Sequence, residues 1–113
     1  MLTVDLLRSF GAAVDEGLER CLDDEEFYLG LIPGALEESY YKSIEDLVKA
    51  GNFRQAFEVA HSLKGILANL ALTPILNPVS EITEGLRVNK DMDYSVLIAK
   101  MWEERNKLFA MTG

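Results

Sequence analysis

A chain of 113 residues with net charge −8, 49% hydrophobic and 27% charged, fits one domain, residues 1–113, with a single core. The acidic balance excludes nucleic acid as the main partner, because binding phosphate needs a basic surface. The lone cysteine, Cys21, excludes an internal disulfide, and no apolar run approaches the roughly 20 residues that span a bilayer, so the expectation is a cytoplasmic domain with no membrane partner.

The opening stretch MLTVDLLRSFG carries Asp5 and no basic lead, so it does not read as a signal peptide, and Met1 with the short length suggests a stand-alone protein. Short helices are expected near Val4 to Phe10 and Glu16 to Cys21. The run Asp23-Asp24-Glu25-Glu26 reads as a helix N-terminus, where carboxylates cap free N–H groups and oppose the macrodipole. It lacks the spacing and central glycine of a calcium loop. Pro33-Gly34 is expected to interrupt that helix and open a new one, because proline suits a first helical turn.

From Pro33 to Ala50 the residues Leu36, Tyr40, Ile44, Leu47 and Val48 keep one apolar stripe, and Gly51-Asn52 stops it. The next helix runs from Phe53 to Ala71 and, after so short a connection, should be antiparallel to the one before. Thr73-Pro74 opens another, reaching Val88. Asn89-Lys90-Asp91 is a polar turn, and a last helix covers Asp93 to Phe109. Tyr28, Tyr40, Tyr41, Trp102 and Phe109 are expected in the core. No stretch alternates with the period of a strand. The predicted fold class is therefore all-α, an antiparallel four-helix bundle with short N-terminal helices covering one end.

His61, the only histidine, stands in AHSLKGILAN, with Lys64 three residues on and Gly65 four. Each helical residue turns the side-chain direction by about 100°, so Ala56, Val59, Leu63, Ile66, Leu67 and Leu70 project to the opposite side, centred roughly 180 to 200° from His61. The imidazole is thus predicted to face outward. Lys64 and Gly65 are its surface neighbours at i+3 and i+4. An ammonium there can stabilise a phosphoryl group on the ring. A helical glycine costs about 1 kcal/mol relative to alanine but removes bulk beside the ring. Ser62 lies roughly 100° away, which excludes a Ser–His pair. One histidine and one distant cysteine do not make a zinc site, so no metal is expected.

The stretch AGNFRQAFEVAHSLKGILANLAL resembles the signature of histidine-containing phosphotransfer (HPt) domains of two-component phosphorelays, H-x-x-K-G followed by a small residue and N-[LI]-G. The resemblance extends over nearly the whole chain. It implies that His61 is the phosphorylated residue, that Lys64 stabilises the phosphoryl group, and that Gly65 lets a receiver dock. It implies a signal-transduction phosphocarrier rather than an enzyme. Its partners would be response-regulator receiver domains, and a hybrid histidine kinase, with Mg²⁺ supplied by the receiver and no cofactor of its own. No Gly-rich nucleotide loop is present for autophosphorylation.

Arg54, Phe57, Ala68, Asn69 and Leu72 are the expected receiver-docking residues around His61; for Phe57, docking and core packing both stay open. Two departures from the family pattern stand out. Ala71 replaces the glycine that often follows N-L, which should alter only the helix end. The Glu or Gln that orients the imidazole in many relatives falls at Thr83, with Glu81 and Glu84 close by. A hydroxyl can accept that hydrogen bond, but a carboxylate would raise ring basicity more. The competing reading is a non-phosphorylated helical adaptor that binds a receiver or a partner helix through the same face. A hydrolase with His61 as general base lacks a second catalytic group.

Overall fold

Side-chain caps mark the start of three of the helices. The computed structural model describes residues 1–113 and is all-helical, with seven helices: α1 Val4–Phe10, α2 Val14–Arg20, α3 Glu25–Ala35, α4 Glu38–Lys49, α5 Phe53–Asn69, α6 Thr73–Arg87 and α7 Ser95–Thr112. Thr3 caps α1 by accepting from the Leu6 N–H at 3.1 Å, and Gly11 ends it at φ +108°. Asp24 caps α3, accepting from the Phe27 N–H at 3.1 Å, with Glu25 and Glu26 in the first turn, as the acidic run predicts. Asn52 accepts from the Gln55 N–H at the start of α5.

The expected break at Pro33-Gly34 is corrected. Pro33 lies in the last turn of α3, which continues to Ala35, and α4 starts at Glu38. Proline removes only one N–H from α3, and side chains decide where the helix ends. The Tyr41 hydroxyl donates to the Ala35 carbonyl at 2.7 Å, and the Arg105 guanidinium donates twice to the Leu36 carbonyl, at 3.0 and 2.7 Å. Those carbonyls are orphans of a helix C-terminus, and α4 and α7 supply their donors. Burial pushes the Tyr41 phenol above its ordinary pKa. Arg105 is itself 8% exposed, with its guanidinium 4.4 Å from the Phe109 ring centroid. Phe109, expected in the core, is instead 54% exposed and forms an outer lid on that cation.

Helix α5 is central. It packs most extensively on α6 and also contacts α4 and α3, while α7 lies along α6 and touches α4 and α1. Ala56, Ala60, Leu63 and Leu67 are its fully buried residues, at i, i+4, i+7 and i+11. They meet a core that includes Ile44 of α4, Val79 and Ile82 of α6, and Met101 of α7. No helix is long and apolar enough to cross a membrane.

The C-terminal end of α5 is closed by the N-terminal segment. The Ala68, Leu70 and Ala71 carbonyls accept from Arg20 Nη1 at 2.6 Å, the Tyr28 hydroxyl at 2.8 Å and the Ala13 N–H at 2.9 Å, respectively. Ala71 stands at φ +56°, and the Leu72 N–H reaches back to the Leu67 carbonyl at 3.0 Å. That is the left-handed C-terminal position glycine suits, so alanine there carries about 1 kcal/mol or more of strain.

The Tyr28 ring passes directly over Gly17: a Cβ at that residue would meet it at 2.6 Å. Tyr28 is fully buried and hydrogen-bonded, so it has no room to retreat. Gly17→Ala is therefore expected to destabilise the fold by about 1–3 kcal/mol, read as a lower midpoint in urea denaturation.

Candidate functional site

The rotation of α5 that buries Ala56, Ala60, Leu63 and Leu67 leaves His61 on the solvent side. The imidazole stacks on Phe57, one turn earlier, with ring centroids 5.5 Å apart and planes 17° from parallel. Phe57 is half-buried, and its ring also carries the Arg87 guanidinium of α6, with Cζ 5.1 Å from the centroid. Phe57 thus both packs on the core and supports the histidine ring.

Lys64 points across to α6, where its ammonium lies 3.3 Å from Glu84 Oε2. The same oxygen accepts from Arg87 Nε at 3.3 Å. The Lys64 ammonium beside it, joined by the Arg87 guanidinium, holds the Glu84 carboxyl below the usual carboxylate range. A short circuit of contacts therefore runs from His61 through Phe57, Arg87 and Glu84 to Lys64.

Gly65 is exposed, inside the helix, and a Cβ placed on it would meet nothing within 4 Å. Neither packing nor backbone conformation within the chain requires glycine there. In this it differs from Gly17 beneath Tyr28 and from Gly85, where a Cβ would meet the Tyr94 hydroxyl at 2.8 Å. Arg54 and Asn69 are exposed, and Ala68 is half-buried. Asn69 lines a groove of about 310 Å³ between α3 and α5, with Leu31, Gly34, Tyr40 and Ile66. Leu31 and, one turn before it, Phe27 remain 38% and 52% exposed, so the groove side of α3 carries exposed apolar surface.

Two expected site residues are corrected. Leu72 is fully buried in the core, because the left-handed turn at Ala71 redirects the chain into α6 and ends the helical phase that put Leu72 beside His61. It offers nothing to a docking partner. Thr83 is fully buried as well, and its hydroxyl donates to the Val79 carbonyl of its own helix at 2.7 Å. The imidazole is supported by the Phe57 ring rather than by Thr83. Arg87 escapes sequence reasoning altogether. Its i,i+3 spacing from Glu84 was visible, but its approach to Phe57 depends on the register between α5 and α6.

Comparison with family profiles, with curated proteins and with solved structures finds no match. The chemistry follows from the groups themselves. An accessible imidazole is a nucleophile near neutral pH, and a lysine one turn on, with an arginine on the ring that stacks on the imidazole, favours an anionic electrophile. No group of three or more His, Cys, Asp or Glu side chains is arranged to hold a metal ion.

Since nothing in the fold fills the space beside Gly65, Gly65→Ala is expected to stabilise the isolated chain by about 0.5–1 kcal/mol. A higher thermal midpoint would bear this out, with a sign opposite to that of Gly17→Ala.

Proposed function

We propose that this chain is a histidine phosphotransfer domain, a cytoplasmic intermediate of a two-component phosphorelay. The observation that carries the reading is the exposed His61 imidazole, flanked by Lys64 and by a helical glycine that the fold itself does not require. Functional pressure on a docking surface gives that glycine a reason. The packing of α4, α5, α6 and α7 on one another supports reading them as the antiparallel four-helix bundle of such domains, with α1 to α3 covering one end.

A phosphorylated receiver docks over the His61 face. Its contacts spread from Phe57 and Arg54 across Gly65 and Ala68 to Asn69 and the apolar groove beside α3. The lone pair of an imidazole nitrogen, in family terms Nε2, attacks the phosphorus of the receiver's acyl phosphate in line. The N–P bond forms as the P–O bond to aspartate breaks, and the aspartate leaves as a carboxylate. The other ring nitrogen keeps its proton through the step. Lys64 balances the charge of the phosphoryl group, and Arg87 adds a second cation on the α6 side. The receiver supplies Mg²⁺. Attack by the aspartate of a second receiver, or of a hybrid kinase, reverses the step. The chain is a phosphocarrier, with no nucleotide chemistry of its own.

Incubation with a phosphorylated receiver and Mg²⁺ is expected to give acid-labile, alkali-stable phosphate on the chain, and none on His61→Gln. Gly65→Gln should fold normally yet lose transfer, because its side chain occupies the docking surface. Absence of transfer from every receiver of the same cell would favour a non-phosphorylated adaptor. Transfer that survives His61→Gln would locate the acceptor elsewhere.

A further inference from the structure

One carboxylate holds both cations of the His61 site. Glu84 Oε2 lies 3.3 Å from Lys64 Nζ and 3.3 Å from Arg87 Nε. The Lys64, Glu84 and Arg87 side chains are 32%, 56% and 47% exposed, so the pairs sit at the rim, where ions exchange partners readily. Helix α6 is buried at the residues on both sides of Glu84. The Thr83 hydroxyl is bonded to the Val79 carbonyl, and Gly85 lies against the Tyr94 hydroxyl. The Glu84 backbone therefore stays beside the site, which keeps its carboxylate within reach of both cations.

Building on the phosphotransfer reading, we infer that Glu84 is a positioning residue that competes with the phosphoryl group for Lys64 and Arg87. It thereby weakens phosphohistidine and favours onward transfer. A phosphoryl group on His61 brings negative charge to an ammonium already engaged. Either the ammonium leaves Glu84 or it is shared, and a like charge remains nearby in both cases. With uncompensated cations the site would hold the phosphoryl group more tightly and release it more slowly. A relay intermediate needs the opposite, a phosphoramidate from which an aspartate can take the group. Arg87 has a second contact, the Phe57 ring, besides its carboxylate.

Phosphoramidate tests this without a protein donor: an imidazole nitrogen forms the new N–P bond as the reagent's P–N bond breaks and ammonia leaves. The full chain and its Glu84→Gln variant are equilibrated with phosphoramidate and ammonia, and phosphohistidine is read by phosphorus NMR. Glu84→Gln is expected to hold about two- to fivefold more, the size of effect that exposed ion pairs carry. The gain should shrink when Lys64→Met is also present, while the thermal midpoint moves little; a merely structural role for Glu84 would not depend on Lys64. An equal or lower level in Glu84→Gln overturns the inference, as does an undiminished gain beside Lys64→Met. A wild-type chain that phosphoramidate leaves unmodified overturns it too. If the reagent modifies His61 but no phosphorylated receiver does, the phosphotransfer reading fails and the Glu84 comparison still stands.

Discussion

The rotation of α5 about its own axis is the constraint on which the rest depends. Two alanines, Ala56 and Ala60, stand a turn apart on its buried side and let neighbouring helices come close, while Leu63 and Leu67 extend the same ridge. Turning the helix by one residue position, about 100°, would swing those leucines toward solvent and His61 toward the core. The apolar contacts thus hold the imidazole in solvent without touching it. The same packing sets the register of α5 against α6, and so brings Lys64 to Glu84 and Arg87 to Phe57. The core specifies the site at a distance.

The site is electrostatically self-contained and mechanically soft. Its ring contacts are stacking contacts, and its ion pairs are exposed and weak. By contrast, the polar groups that hold the fold together are buried: Arg105 at the end of α3, and the Tyr41 and Tyr28 hydroxyls on helix-end carbonyls. Glu104 belongs to the same class. Burial alone would raise its pKa, but hydrogen bonds from Lys100 and Lys107 outweigh that and hold it low. Strong polar contacts are kept for architecture, and labile ones surround the histidine.

The helices themselves were legible from period and caps, because both signals are local. Asp24 caps α3 and Gly51 follows the end of α4 at φ +75°, as their residue types predict. The outward direction of His61 was legible for the same reason, since it needed only the phase of one helix. Leu72 was misread when that phase was carried past a left-handed residue, where it no longer applies. Pro33 was misread because the end of α3 is set by Arg105, 69 residues from the Leu36 carbonyl it binds. Thr83 was aligned correctly with its helix but not with its hydrogen bond, which it finds within α6. Arg87 and the hub at Glu84 depend on the register between two helices, which no single-helix pattern contains.

The three carbonyls at the end of α5 that receive Arg20, Tyr28 and Ala13 tie the first 28 residues to the far edge of the His61 face. Loosening that segment would free the last turn of α5 and the groove that Asn69 lines. The N-terminal helices and the end of α5 are therefore joined by direct hydrogen bonds. Whatever steadies or releases the beginning of the chain acts on the shape of the surface around Asn69.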